Sequence, residues 1–249
     1  MMSVDERAPS DQSVADAEQW AGDPLAQYFA AAWRNTVRSF SLQRAHYETL
    51  VEIDGVYRRL IEHAEDSSER LAGSMLIRAH GSFLAASSLA LSGQIAESYA
   101  LMRNSLRSAL HGLFLAGDAE RQRIWIARND DDAGADRMRA TFSNGPMLRH
   151  LREIDSATAG IYERLQQRTI ERGAHPNTYA SFARDEEGES PSLDFSRAYL
   201  VTDDEVQRMA LRTAAQVGIC ALSLFYYVYG DQFREQKLDA RLAQLRHGH

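Results

Sequence analysis

Gln94-Ile-Ala-Glu-Ser-Tyr-Ala-Leu-Met-Arg-Asn-Ser-Leu-Arg-Ser-Ala-Leu-His-Gly-Leu-Phe-Leu-Ala116 is the stretch whose reading decides the fold. Ile95, Tyr99, Met102, Leu106, Ala109 and Leu113 recur at helical spacing, and Ala96, Ala100, Leu110 and Phe114 fill the neighbouring face. A helix that is apolar most of the way round belongs at the centre of a helical bundle. Arg103 and Arg107 stand among these residues. A lone charge is costly to bury, so each needs a carboxylate, with Glu97 and Glu62 as candidates, or an anionic ligand such as a phosphate or carboxylate.

Working outward, the preceding segment carries Ser74, Ala79, Ala85, Ala86, Ser87 and Ser88, small residues that permit close helix–helix contact. Asp66-Ser-Ser-Glu69 has the capping-box pattern to open it and Ser92-Gly93 to close it. Upstream, Pro24 suits a first helical position. Phe29, Trp33, Val37 and Phe40, then Leu50, Ile53, Tyr57, Leu60 and Ile61, have the spacing of amphipathic helices with a break near Ser39–Ser41. Downstream, Gly117 is a stop, Asp118 caps a short helix through Trp125, and Asn144-Gly145-Pro146 reads as a turn. A long helix is expected from Pro146 to Arg172, stopped by Gly173.

Residues 173–201 break this rhythm with His175-Pro176-Asn177, an acidic run and Ser190-Pro191, so a loop or short β-hairpin is expected near 178–201. Thr202-Asp-Asp-Glu205 then opens the last helix, through Gly230 and toward Arg246. The expectation is an all-α fold: a flexible acidic tail over 1–22 and a single helical domain over 23–249, a bundle of six to eight helices.

Composition narrows the function classes. Of the 249 residues 44 % are hydrophobic and 25 % charged, the balance of an ordinary globular protein. A net charge of −7 argues against coating DNA, which needs a broad basic surface. Lys237 is the only lysine among 28 basic residues, so whatever cationic chemistry exists is guanidinium chemistry. Cys220 stands alone within the apolar run Val217–Leu224, which excludes an internal disulfide and reads as a small buried hydrophobe. Residues 1–23 hold six acids, one arginine and no apolar run, so no secretory signal is expected. Val217–Tyr229 is too short for a membrane span. A cytoplasmic protein without a membrane partner follows. With no Gly-rich phosphate loop, G-x-S-x-G elbow, H-E-x-x-H or helical E-x-x-H, no metal and no cofactor is expected.

The end of the 146–172 helix also draws notice. Leu148, Leu151, Ile154, Ile161 and Leu165 form its apolar face. Seven residues bring an ideal helix back to within about 20° of its direction, so Arg168 points where a hydrophobe is expected. Arg164 and Arg172, four residues to either side, extend a basic stripe. His175 follows the helix end, where the dipole favours its cation. Arg168 and His175 together could serve a phosphodiester, one stabilising negative charge and the other moving protons.

Five segments carry a resemblance: Gly81-Ser-Phe-Leu-Ala-Ala, Leu91-Ser-Gly-Gln94, Tyr99-Ala-Leu-Met-Arg103, the stretch Asp118 to Trp125 to Arg128, and Gly173-Ala-His-Pro-Asn177. Over roughly residues 70 to 180 the chain resembles a group of bacterial helical proteins that is itself similar to the HEPN-like superfamily. Catalytic members of that superfamily cleave RNA without metal, across a dimer interface, using an arginine and a histidine separated by four to six residues. The resemblance thus implies catalytic roles for Arg168 and His175. This chain departs from the pattern at Thr169, which follows the arginine, and at Arg107, where related proteins carry glutamate. Three functions stand open. One is a non-catalytic structural or partner-binding module, expected as a homodimer. The second is a HEPN-like ribonuclease or RNA-binding protein using Arg168 and His175. The third is a small-anion or nucleotide pocket around Arg103 and Arg107, with Arg164, Arg172 and Asn177 as further ligand-binding candidates.

Overall fold

A computed structural model describes residues 22–64, 69–173 and 199–248. Among these residues there are eleven α-helices and no strand. In chain order they are α1 (Pro24–Leu42), α2 (Arg44–Ala64), α3 (Arg70–Ser92), α4 (Ile95–Leu115), α5 (Ala119–Ile126), α6 (Asp132–Thr141), α7 (Asn144–Ile154), α8 (Ser156–Gly173), α9 (Asp204–Tyr226), α10 (Gly230–Glu235) and α11 (Leu238–Gly248). The fold is all-α, with more helices than the six to eight expected. The loop or hairpin expected over 178–201 lies outside the described residues except for 199–201, which form no strand. The acidic tail and the Asp66-Ser-Ser-Glu69 box lie largely outside them too.

The extra helices have local causes. The 146–172 helix is two helices, because Asp155 breaks it and caps its second half: the Asp155 carboxylate accepts from the Ala157 and Thr158 amides at 2.9 and 3.1 Å. Asn144-Gly145-Pro146 is the first turn of α7, not a connecting turn. The Asp130–Asp132 run opens α6, with Asp131 accepting from the Gly134 amide. The chain after Tyr226 is divided by Lys237, which adopts a left-handed φ of 55° between α10 and α11. Gly173 is the last residue of α8, and its φ is not left-handed.

α4 is the central helix: it packs against α3, α9, α8, α7 and α5. Small side chains allow this. A Cβ on Gly112 would lie 2.7 Å from the Phe225 ring of α9. One on Gly218 of α9 would lie 2.8 Å from both Ile53 of α2 and Phe83 of α3. Backbones this close bring Ala79, Ala86, Ala109, Ala214 and Ala221 into one core with Tyr57, Phe83, Met102, Leu106 and Phe225. α9 is long and apolar enough to cross a membrane by length and composition, yet 78 % of its apolar window is buried inside this bundle.

The C-terminal end of α3 is where the chain's distant parts meet. Its last carbonyls have no partner within the helix. Asn35 and Ser39 of α1 donate to Ser92 O and Leu91 O, at 3.2 and 2.9 Å. Gln207 of α9 donates to Ala90 O and Leu91 O, at 3.1 and 2.8 Å. α1 is therefore held by Ala32, Thr36 and Ser39, its small and polar face. The apolar residues read as the buried face of an amphipathic helix point the other way. Leu25, Phe29, Trp33 and Val37 are 59, 60, 63 and 48 % exposed. Phe40 is half-buried against Tyr47, with ring centroids 4.8 Å apart.

Candidate functional site

The arginines that the sequence singled out separate into two settings. Arg107 is exposed on α4, and Arg103 is half-buried with a buried Nε that has no hydrogen-bond partner among the described residues. Neither makes an ion pair there with Glu97 or Glu62, both exposed. The expected pairing with those carboxylates is thus absent. The cause is register: Leu106, Ala109, Leu110 and Leu113 take the buried side of the helix, which leaves Arg107 outward.

Arg164 and Arg168 lie together in a groove of about 360 Å³ between α8 and α9, which Arg246 of α11 also lines. Thr158, Ile161 and Leu165 line it from α8, and Gln216, Ile219, Cys220 and Ser223 from α9. Arg168 Nη1 donates to Gln216 Oε1 at 2.7 Å. Arg246 Nε donates to Ser223 Oγ at 3.0 Å, and that hydroxyl donates in turn to Ile219 O at 2.7 Å. Arg164 makes no hydrogen bond or ion pair with the described residues. Its Nη1 lies 3.4 Å from where a Gly160 Cβ would stand, so the side chain lies back along α8.

Arg172, the third member of the α8 stripe, leaves this groove. Its guanidinium meets the Met209 sulfur and sits 6.0 Å from the Tyr99 ring centroid. The reason is the close seat of Gly173, whose Cβ would stand 2.6 Å from Tyr99 Cβ, which draws the end of α8 onto α4. His175 and Asn177 lie outside the described residues.

The groove's chemistry follows from its partners. Each guanidinium offers five N–H donors, and Arg168 and Arg246 each commit one of them here to a neutral oxygen. A neutral acceptor orients the charge without cancelling it. The Asp155 carboxylate, which is not part of the groove lining, accepts from the Tyr227 hydroxyl at 2.6 Å and from the hydroxyl of the lining residue Thr158 at 2.7 Å. Those bonds hold its pKa down at about 2. Burial pushes the Cys220 thiol up to about 12, so it stays protonated and unreactive, as its apolar run implies. Among the described residues no group of three or more His, Cys, Asp or Glu is placed to hold a metal.

No family model, curated protein or solved structure matches this chain. Sequence reading missed Gln216, Ser223 and Arg246. Gln216 carried a usable signal, as the one polar residue between Ala214 and Cys220. Arg246 carried none, because its place depends on the turn at Lys237.

Proposed function

We propose that this protein is a non-catalytic, partner-binding helical module, and that its partner is a second copy of the same chain docked through α1. The single observation that carries this reading is the inverted placement of α1. Its small residues Ala32, Thr36 and Ser39 face the bundle, while Leu25, Phe29, Trp33 and Val37, each four residues apart, face outward.

Four such side chains expose on the order of 400 Å² of contiguous apolar surface, the size at which a patch on a monomer is commonly an interaction site. A standard interface needs about 800 Å² from each partner. One stripe with its polar rim approaches that area only against a surface equally apolar. A second α1 is such a surface. An i, i+4 row is a ridge inclined about 26° to the helix axis, and two such ridges interdigitate across a two-fold axis with the helices crossing at about 50°. Arg34 and Arg38 lie on the same helix, and Arg38 is already paired with Asp204 at 2.9 Å, which limits repulsion between the two copies.

Sedimentation velocity over a concentration series tests this, with Trp33→Glu as the comparison. The parent is expected to sediment as a dimer and the variant as a monomer with unchanged helicity. A parent that remains monomeric at every concentration removes the reading. A dimer that survives Trp33→Glu moves the interface away from α1.

A further inference from the structure

From the groove between α8 and α9 we infer that this protein binds a small organic anion, an oxyanion head on an apolar body, with Arg164, Arg168 and Arg246 gripping the head. The site is separate from α1, so its failure would leave the dimer reading intact.

The cationic rim is an unbalanced arrangement. Arg164 and Arg168 sit four residues apart on one helix, where like charges repel. Among the described residues no carboxylate ion-pairs with either, nor with Arg246. Elsewhere on the surface some arginines find carboxylates, as Arg44 does with Glu48, Arg58 with Asp54, Arg123 with Glu120 and Arg241 with Glu52, while others, such as Arg34, Arg59 and Arg78, form no ion pair among the described residues. What sets the groove apart is that three guanidiniums without an ion pair among the described residues line one concavity.

Two of the three are held in place. Gln216 is half-buried in α9 and fixes Arg168 from below. Buried Ser223, fixed by its own bond to Ile219 O, holds Arg246 across the groove. Both leave the outer guanidinium edges free to donate. A planar fork of N–H groups matches the paired oxygens of a phosphate or carboxylate, and it does so better than an ammonium would. Arg164, unanchored, is the member able to swing onto a bound head.

The floor sets the rest of the ligand. Leu165, Ile219 and Cys220 are buried beneath the rim, and Ile161 stands half-exposed at its side. A bare inorganic anion would leave this apolar floor wet. An aryl or short alkyl body would cover it, gaining the hydrophobic contribution that a free ion lacks. The volume of about 360 Å³ lies at the small end of ligand pockets.

Calorimetric titration of the full chain with phenyl phosphate, inorganic phosphate, benzoate and phenol tests the inference. Beside it stand Arg164→Gln/Arg246→Gln, chosen because both residues are exposed, and an end-labelled RNA oligonucleotide. Phenyl phosphate and benzoate are expected to bind saturably. Inorganic phosphate is expected to bind about tenfold or more weakly, and phenol not at all. The double variant should lose about tenfold or more in affinity, the loss expected for charge-assisted hydrogen bonds, while keeping the parent's helicity and a cooperative melting transition. Absence of saturable binding by both organic anions would overturn the proposal, as would affinity unchanged in the double variant. Equal binding of phenol would show that the charge is not read. RNA binding that phenyl phosphate fails to displace would assign the arginines to a nucleic acid instead.

Discussion

The Val201 amide donates to the Gly93 carbonyl at 2.9 Å, which ties the chain entering α9 to the chain leaving α3. Gly93 can take part because its φ is +90°, a conformation that an L side chain adopts only at a cost. A Cβ there would stand 2.4 Å from Val201 O and 3.2 Å from Asn35 Nδ2. Gly93→Ala is therefore expected to lower stability by about 2–4 kcal/mol, combining backbone strain with the displaced contact. Denaturant unfolding of the variant checks this, and a loss under about 1 kcal/mol would mean the junction yields freely.

The close approach of α4 and α9 makes a second expectation. Gly112→Ala drives a methyl to 2.7 Å from the Phe225 ring, which is fully buried and has little room to turn. The cost should be about 1–3 kcal/mol, the range for overpacking a core. Gly55→Ala serves as the control, since nothing lies within 4 Å of its Cβ position. That change should be neutral or slightly stabilising.

Asp155 gives the protein an acid-sensitive latch. Its folded pKa of about 2 lies below the unfolded carboxylate value. The unfolded chain therefore takes up the proton first, and the stabilisation present above about pH 4 is lost as pH falls through about 2. Tyr227→Phe removes the strongest contributor and should raise the acid-unfolding midpoint, with a loss of about 1 kcal/mol at neutral pH. An acid midpoint that does not move would locate the latch elsewhere.

His111 adds sensitivity at a milder pH. Burial against Trp125 and Phe142 lowers its pKa, while its Nδ1 donates to Arg107 O at 2.7 Å. His150 is lowered in the same direction, again first by burial. Both groups favour the neutral ring when folded, so their contribution is complete above about pH 6.5 and declines as pH drops through the depressed folded value. His111→Phe should flatten the stability profile between about pH 5 and 7. A profile as steep as the parent's would assign the effect to His150.

Removing a groove charge should help the free protein. Arg164 carries a charge with no partner among the described residues and sits one turn from Arg168. Arg164→Gln is thus expected to raise stability by a few tenths of a kcal/mol at low ionic strength, a gain that fades in salt. A lower melting temperature would point to a structural task for this side chain.

How much of this was legible in the sequence depends on what each feature rests upon. The centrality of α4 could be read from periodicity, because a helix apolar on nearly all sides has one place to go. The stops at Gly93 and Gly117 were legible too, and both take left-handed φ values. The break at Asp155 was not, since the flanking Ile154 and Ile161 kept the apolar period running across it. Both are in fact about 40 % exposed, so that period did not mark a buried face. α1 misled for a related reason: spacing reports that a helix is two-faced, not which face the bundle takes. Here Asn35, Ser39 and the open carbonyls of α3 decided it. The groove arginines were visible as Arg164 and Arg168, whereas Arg246 joins them only through tertiary return of the chain.

Cys220 gives the molecule a reporter of its own rare openings. The residue is 3 % exposed at the floor of the groove and burial holds the thiol protonated, so a thiol-reactive probe labels it mainly when the packing around it opens. The labelling rate then counts excursions from the native state, one cysteine and one clock. A ligand seated in the adjoining groove is expected to slow that clock, because binding only the native state makes its openings rarer.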